Sequence, residues 1–566
     1  MDKILRVNVS NQSVRVEPLP EAYWNLGGRA ITSRIICDEV DATCDPLGAY
    51  NKLVFAPGLL SGTVLSSSSR LSVGFKSPLT GGIKESNAGG QSGLKMAMLG
   101  YRAMIVEGFP TDDRWWLLVV ERDGARFEPA DDLAGMGAYD TAAKLFERFG
   151  GKVGLSLIGP AGQQLMNLAG ICNTDPEGRP SRLNARGGPG AVMGAKRLLA
   201  IVWNETTSHP VPAKDDILWK EAAKLYLNEV RTQPGTSQRF PLYGTAAVLE
   251  TCNKFGGLPI RGFRVGQDPQ TDAISGLRMH DVIKERGGHT THSCMTGCAI
   301  QCSNVFVDKV GQEIASSMEF ETNGLLGANL DIWDFDLIAE FTRLCNDIGI
   351  DTIETGGSFM VAMEAGLLRY GDGPGVLKTF ADIRNGTPLG RILGLGAGLA
   401  GKALGVRRVP VVKNQTMSAY DPRVIKGNGV TFLTSPMGAD HTAGNTIGSS
   451  SDHLNPLDKV AISREMQIVC ALLDIVGFCN FARGPYAAQP GTFTQLFEAR
   501  LGRPVTVDEL RRSAIDMNKL ELAFNVRAGQ PRVERLPEWM QEEPLAPHNS
   551  LFDVSEADMA KLWDEV

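Results

Sequence analysis

Apolar and polar positions alternate in two runs between Ile4 and Glu17, around the polar turn Ser10-Asn-Gln-Ser13. That pattern predicts a β-hairpin. Short runs at Lys52–Ala56, Leu71–Phe75, Arg102–Gly108 and Trp115–Glu121 predict further strands, with glycine-rich connections between them. Helical periods near Thr141–Phe149 and Gly194–Leu199 interrupt the pattern, and a strand over Leu199–Trp203 closes it. The stretch His209-Pro-Val-Pro212 reads as a linker. Beyond it the period changes. Asp216–Glu229, Phe335–Asn346, Ser358–Tyr370, Ser463–Leu473 and Val505–Glu521 place apolar residues three and four apart, as amphipathic helices do. Thr506 and Asp508 are available to cap the last of these. The segment from Pro531 onward is charged and proline-punctuated and predicts a tail draped over the surface. No tandem repeat of the solenoid kind is present. The expected fold class is α+β, with a β-rich part over 1–208 and mostly helical structure from 213.

Composition narrows the function. The formal charge is −7, from 57 Lys+Arg against 64 Asp+Glu. This argues against nonspecific nucleic-acid binding, which needs excess basic residues. The chain opens Met1-Asp-Lys-Ile-Leu-Arg6, without a basic-then-apolar signal pattern, and no uncharged apolar run reaches the length of a membrane span. The expectation is a cytoplasmic protein. Its ten cysteines are then buried thiols or metal ligands rather than disulfides. The 64 glycines in 566 residues are about one in nine, against a norm of about one in fourteen. Such an excess serves backbone positions that need positive φ or close approach to a neighbour.

The sharpest local feature is His292-Ser-Cys294-Met-Thr-Gly-Cys298-Ala-Ile-Gln-Cys302. Three thiols within nine residues suit a [4Fe–4S] cluster, which needs four thiolates around a cube. The alternatives are a helix that buries the three cysteines, or a zinc site. A fourth ligand is required for a cluster. Cys470 has apolar neighbours at helical spacing and suits a core. Cys479 follows a glycine break, where the backbone can turn toward a cofactor. Spacing alone does not choose between them. Three glycine segments stand out as well: Leu26–Arg29, Arg70–Gly90 and Ala185–Lys196. Each joins permissive backbone to Arg, Asn or Lys, which suits a phosphate or a polar heterocycle. Tight turns in a β domain account for them equally well.

Taken in order, these segments resemble the tungsten-containing aldehyde:ferredoxin oxidoreductases nearly end to end. The resemblance is carried by Gly27-Gly-Arg29, Asp45-Pro-Leu-Gly48, Phe55-Ala-Pro-Gly58, Arg70, Ser77-Pro-Leu-Thr80, Ser86-Asn-Ala-Gly-Gly90 and Arg186-Gly-Gly through Lys196. It continues in the cysteine loop, Glu319-Phe-Glu321-Thr, Asn346-Asp-Ile-Gly-Ile-Asp351-Thr, Gly438-Ala-Asp-His441 and Asp474-Ile-Val-Gly-Phe-Cys479. The resemblance implies tungsten, or molybdenum, held by two pterin dithiolenes, with Mg bridging the pterin phosphates and a [4Fe–4S] cluster close by. It implies a β base over 1–208 and two helical covers over 213–410 and 411–566. Arg70, Asn87, Gly89 and Arg186 match positions that contact the pterins. Asn346, with Asp351 closing its motif, and Asp474 head the two pterin motifs. Asn346 and Ile350 depart from the usual Asp and Leu in the first motif, and Phe478 replaces Leu in the second. Cys294, Cys298, Cys302 and Cys479 are the implied cluster ligands, although the first pair is spaced one residue wider than usual.

Glu321 matches the active-site glutamate, with Glu319 as the register alternative. His441 suits proton transfer, since an imidazole titrates near neutrality. His289 and His292 flank the cysteine loop and are placed to tune the cluster. Cys345 reads as a buried thiol, and Lys426 and Asn428 as further pocket-lining candidates. The implied reaction oxidises an aldehyde to a carboxylic acid and passes electrons to a ferredoxin or a ferredoxin-like subunit. The alternatives are another substrate (a 2-hydroxy acid, or a carboxylate reduced), a subunit of a larger electron-transfer complex, a non-catalytic relay, or a zinc-stabilised binding module. In the family's prototype a Glu-x-x-His motif shares an iron between subunits. Glu340-Phe-Thr-Arg343 lacks the histidine, so any homodimer is expected to form without a bridging iron.

Overall fold

The computed structural model describes residues 1–564. The first part is built from two six-stranded sheets. β1 (Lys3–Asn8) and β2 (Ser13–Pro18) form the expected hairpin, followed by β3 (Leu53–Pro57), β4 (Leu71–Lys76), β5 (Ile83–Ala88) and β6 (Tyr101–Glu107). The second sheet takes β7 (Trp116–Glu121), β8 (Gly124–Pro129), β9 (Gly154–Leu157), β10 (Ile171–Asn173), β11 (Arg182–Asn184) and β12 (Leu198–Trp203). The strand orders are β2-β1-β6-β3-β4-β5 and β8-β7-β12-β9-β10-β11. These are one and the same order. In each sheet the only parallel pair joins the first strand to the last, β1 with β6 and β7 with β12. The base is therefore an internal duplication that lacks a tandem sequence signature. The two sheets share one core, in which Phe55 meets Trp203 edge-on at 6.1 Å.

Each half carries a helix in the corresponding place: α1 (Gly28–Glu39) and α2 (Ala138–Phe149). The first glycine segment thus opens a helix. Ile31, Ile35 and Ile36 recur at helical spacing and are fully buried against Val54, Ala56 and Ile105 of the sheet. The expected helix near Gly194–Leu199 lies earlier, over Pro189–Ala195. Pro189 starts it because a proline at the first helical position gives up an N–H that would be unpaired anyway.

The expected linker at His209–Pro212 has no regular structure, and helices follow it. The main ones are α3 (Asp216–Thr232), α4 (Phe335–Ile348), α5 (Thr352–Glu364), α6 (Lys459–Val476) and α7 (Val507–Arg527). Thr506 caps α7 by accepting from Glu509 N–H at 3.1 Å. α5 begins six residues earlier than the apolar period suggests. The Asp351 carboxylate accepts from the amides of Ile353 and Glu354, both at 3.1 Å, and fixes the start there. The tail is not surface-draped. Trp539, Met540, Leu545 and Trp563 are buried, and Trp539 packs under Arg408 and Arg423. No single described helix is long and apolar enough to cross a membrane. α6 passes such a test only together with Asn480–Ala488, bent from it by 118°.

α6 and α4 both dock on the base through glycine. α6 ends at Gly477 (φ 82°) and α4 at Gly349 (φ 75°). A Cβ on Gly58 would lie 2.1 Å from the Gly477 nitrogen, and one on Gly159 would lie 2.3 Å from the Ile348 carbonyl oxygen. Backbone bonds lock both contacts. Leu59 and Arg70 N–H donate to Ile475 and Gly477 at 3.3 and 3.0 Å, and Gly170 N–H donates to Gly349 at 2.9 Å. Each half of the duplicated base thus receives one of the two motifs picked out in the sequence.

Candidate active site and metal centre

Between base and helices lies a cavity of about 410 Å³. Its walls bring together Arg70, Asn87 and Gly89 from the base, Cys294 and Cys302 from the cysteine loop, Glu321, His441, Asp474 and Cys479. Nine of the thirteen residues singled out as site candidates therefore face one space.

The cysteine loop is not helical. It leaves β13 (His289–His292), turns through Gly297 at φ 80°, and enters β14 (Ser303–Val307). The wider first spacing is absorbed there. Gly90 N–H donates to the Cys294 carbonyl at 3.0 Å, and a Cβ on Gly89 would come within 3.3 Å of the Cys294 sulfur. Any side chain at Gly89 would crowd that thiol. On the far side of the loop, Cys298 is buried with its sulfur 3.8 Å from the Ser67 hydroxyl. The Ser67 carbonyl accepts from Cys479 N–H at 2.8 Å. Cys298 and Cys479 are thereby presented by one residue of the base. Burial pushes the Cys294 thiol up to about 12, and raises Cys302 and Cys479 as well.

These thiols are not gathered at the spacing of a single ion. Four thiolates on a tetrahedral zinc at about 2.3 Å would stand about 3.8 Å apart. Among the described residues no three of these sulfurs lie within 4.8 Å of one another. Cys470 takes the core role, with its thiol toward Asn480 Oδ1 at 3.4 Å. Cys345 is fully buried among apolar residues, as expected. His292 pairs through Nε2 with Glu177 at 3.0 Å while its Nδ1 is buried without a partner, and His289 is exposed.

Glu321 sits in the short helix Phe320–Thr322. Its Oε2 accepts from Ala419 N–H at 2.7 Å. Its Oε1 is buried without a hydrogen-bond partner, 3.4 Å from His441 Nδ1. Burial raises the carboxyl from 4.5 to about 8, against the pull of the Ala419 amide and the Arg186 guanidinium. At neutral pH this glutamic acid is protonated. His441 follows Asp440, whose carboxylate accepts from Thr442 N–H at 3.1 Å and pairs with the buried Lys84 ammonium at 2.6 Å. Burial lowers the imidazole to about 4, so it is neutral. His441 Nδ1 lies 2.9 Å from the Ser418 hydroxyl. Glu319 is different: both its oxygens are taken, by the hydroxyls of Thr245 and Ser317. A buried acid with one oxygen free, beside a neutral imidazole, can exchange a proton with a bound molecule, and Glu321 has that free oxygen where Glu319 does not.

Arg70 donates through Nε to Asn87 Oδ1 and through Nη2 to the Asn87 carbonyl at 3.2 Å. Asp474 is held by the buried Arg29 at 3.4 Å, and burial together with the nearby Glu85 carboxyl raises its proton affinity. Arg186 and Asp351 pair with each other at 3.2 Å behind the His441 loop, where Arg186 also donates to the Ala439 carbonyl at 2.6 Å. They do not line this cavity, and neither does Asn346. That residue sits on α4 with its amide toward the Tyr139 hydroxyl at 3.4 Å. Lys426 and Asn428 are not pocket residues. Lys426 pairs with Asp553 at 2.5 Å, and Asn428 accepts from Thr446 N–H at 2.8 Å. The sequence reading missed Tyr420, whose ring packs 5.6 Å from that of His441, and Arg483, Asn445 and Phe481 on the same wall. Only Asp440, adjacent to His441, carried a local signal.

Comparison with known proteins decides the family. The aldehyde ferredoxin oxidoreductase N-terminal domain matches residues 4–205, and domains 2 and 3 of the same family match residues 221–565. The chain belongs to the aldehyde ferredoxin oxidoreductase family. It is an oxidoreductase. It is 30% identical to the tungsten-containing aldehyde ferredoxin oxidoreductase of Pyrococcus furiosus, over 96% of this chain and 92% of that one. It is 23% identical to the WOR-like subunit of an aliphatic sulfonate oxidoreductase from the same organism, over 85% and 79%. The fold also matches the active-site complex BamBC of benzoyl coenzyme A reductase, at TM-score 0.80 and 18% identity, over 100% of this chain and 93% of that one. The family implies a tungsten–pterin cofactor, and the residues present fit one. The base offers guanidinium and amide edges at Arg70 and Asn87, its Gly89 leaves the room a Cβ would fill, and Glu321 keeps a buried oxygen without a partner.

Proposed function

We propose that this family member oxidises an aldehyde to a carboxylic acid at a tungsten (or molybdenum) bis-pterin, with electrons leaving through a [4Fe–4S] cluster to ferredoxin. The observation that carries the reading is the meeting of Glu321 and His441 in the cavity that Cys294, Cys302 and Cys479 also line. The base over 1–208 would hold the cofactor, and covers over 213–410 and 411–566 would enclose it. Arg70, Asn87, Gly89 and Asp474 would hold one pterin half. Arg186, Asn346 and Asp351 would serve the other, with Mg between the phosphates. Cys294, Cys298, Cys302 and Cys479 would ligate the cluster. The setting would be the cytoplasm.

The overall change is RCHO + H2O → RCOOH + 2H⁺ + 2e⁻. When bound, the metal supplies a Lewis acid and a two-electron acceptor. The chain supplies the proton handling. Protonated Glu321 directs its free Oε1 at the carbonyl oxygen, donates to it as charge develops, and then takes up the proton released by water. Neutral His441, 3.4 Å from Oε1, would orient the acid, and Ser418 would hold the imidazole in place.

Elemental analysis with EPR tests the reading. Tungsten or molybdenum with about four irons per chain supports it. Zinc alone, or iron without the heavier metal, refutes it. A second reading keeps the cofactor within a larger electron-transfer assembly acting on another substrate. It is favoured by the relative named as a subunit of an aliphatic sulfonate oxidoreductase. Co-purification of a ferredoxin-like subunit would separate the two.

A further inference from the structure

Arg483 opens the short helix Arg483–Ala488, shortly after Cys479, and its side chain is half-buried on the wall of the central cavity. The loop that follows His441 fixes its place there. Nη1 donates to the Asn445 carbonyl at 3.4 Å, and Nη2 stands 3.9 Å from where a Cβ on Gly448 would lie. The Asn445 amide in turn donates to the Tyr420 hydroxyl at 3.0 Å, and the Tyr420 ring packs 5.6 Å from that of His441. The guanidinium is thus one tyrosine removed from the pair formed by Glu321 and His441. Among the described residues that long bond to Asn445 is the only one its side chain makes, and no carboxylate lies within ion-pair distance of it. The other charged groups on the wall are engaged. Arg70 donates twice to Asn87, and Arg182 donates to the hydroxyls of Ser303 and Ser316 at 2.7 and 3.1 Å. Glu319 is taken by two hydroxyls, and Asp474 is held by Arg29. Around Arg483 the wall is largely apolar, with Ile447 and Phe481, whose ring packs 4.3 Å from that of Phe240. A charge pair formed there is weakly screened.

We propose that Arg483 selects the substrate: the aldehyde carries a carboxylate at its far end, which pairs with the Arg483 guanidinium while the carbonyl meets Glu321. This rests on the aldehyde reading above and names its substrate class. A guanidinium offers parallel N–H groups that match the two oxygens of a carboxylate. One fixed positive charge also answers one negative charge. A phosphate monoester, with nearly two, would call for a second cation, and Arg182 and Arg70 are turned to other partners. The reaction is ⁻OOC–R–CHO + H2O → ⁻OOC–R–COOH + 2H⁺ + 2e⁻, with the electrons leaving as above and the remote carboxylate unchanged. The apolar wall suits a hydrocarbon R. Arg483 holds the end that does not react, so it is a specificity residue, and its loss acts on KM rather than on kcat.

The test uses matched pairs of aldehydes on the loaded enzyme: succinic semialdehyde with butanal, adipic semialdehyde with hexanal, and 4-formylbenzoate with benzaldehyde. In wild type, kcat/KM is expected to favour the charged member of at least one pair by about tenfold to a hundredfold, as a hydrogen-bonded charge contributes. Arg483→Met keeps the length of the side chain and removes its charge, and should bring that ratio close to one through KM. Titration calorimetry with the dicarboxylate product of the favoured pair should show binding to wild type that Arg483→Met weakens by a similar factor. Turnover with no charged member favoured, or a preference that Arg483→Met leaves in place, overturns this inference and leaves the aldehyde reading standing. A fully loaded enzyme that oxidises none of the six overturns both. Should Arg483→Met fail to load its metals, Arg483→Lys decides. It keeps the charge and loses the fork, so the preference should shrink and fade further as salt rises, and a full preference indifferent to salt refutes the ion pair.

Discussion

Replacing Glu321 with glutamine tests the electrostatic account most directly. In the folded protein the carboxyl is raised to about 8, while an exposed glutamate titrates at 4.5. Below 4.5 both states hold the proton and folding is indifferent to it. Between 4.5 and 8 the unfolded chain releases a proton that the folded protein keeps, so stability falls as pH rises. The slope is about 1.4 kcal/mol per pH unit, which gives a cost of about 3 kcal/mol at pH 7. Glutamine has the same shape and no proton to lose. Before cofactor loading, Glu321→Gln should therefore match wild type near pH 4 and exceed it by about 3 kcal/mol at pH 7. The gap should stop growing near pH 8, where the folded acid itself ionises. Denaturant midpoints of the two proteins across pH 4–8 provide the measurement. Infrared difference spectra should show a protonated carboxyl at pH 7 that the variant lacks. A gap that does not change with pH, or one that favours wild type, would refute the claim that burial holds this acid neutral. The same substitution in the loaded enzyme removes the proton donor and should cost about 10²–10⁴ in kcat. A stabilising change that abolishes turnover is what a site strained for function predicts.

The remaining predictions are more local. His441→Gln should remove an acid-sensitive component. The imidazole is lowered from 6.5 to about 4, so its contribution to stability is complete above 6.5 and is lost as pH falls toward 4. The stability of the variant relative to wild type should therefore rise by about 1.4 kcal/mol per pH unit as pH falls through that window, and a difference that does not change with pH counts against a buried neutral histidine. Cys298→Ser and Cys479→Ser should each abolish cluster absorption, whereas Cys470→Ser should keep it, since that thiol packs on α6. Glu319→Gln should lower turnover far less than Glu321→Gln, because Thr245 and Ser317 already occupy its oxygens. Gly58→Ala should destabilise strongly, by about 3 kcal/mol or more, since its Cβ would lie 2.1 Å from the Gly477 backbone. Gly151→Ala, whose Cβ meets nothing within 4 Å, should leave the thermal midpoint essentially unmoved.

The hairpin, the short strands and the amphipathic helices were legible because their patterns are local and repeat within one element. α1 was hidden by its own composition. Two glycines at its start and the β-branched Ile31, Thr32, Ile35 and Ile36 are weak helix formers, and the helix exists because a sheet lies beneath it. The duplication of the base was hidden for another reason. Pairing β1 with β6 joins residues about a hundred positions apart, and nothing in either strand names its partner. The tail misled through its charge and prolines, which said nothing of Trp539 and Trp563 closing over the core. At the site, Cys294, Cys302, Cys479, Glu321 and His441 came from cysteine spacing and from resemblance, and the fold brings them to one cavity. Lys426 and Asn428 failed because polar residues in a glycine-rich stretch serve the packing of loops as readily as a pocket.

The glycine contacts that seat α4 and α6 on the base bear on how such a chain can drift over time. What fixes those two helix ends is main chain against main chain: Leu59, Leu60 and Arg70 on one side, Gly170 and Asp351 on the other, each bonded through peptide groups. The side chains of Ile350 and Phe478 take no part in those bonds between peptide groups. Ile350 and Phe478 stand where the resemblance leads one to expect leucine, yet the grip on both helix ends is intact. A lineage can exchange the lettering of these motifs and still hand on the same docking angle, because the inherited part is the absence of a side chain at Gly58, Gly159, Gly349 and Gly477.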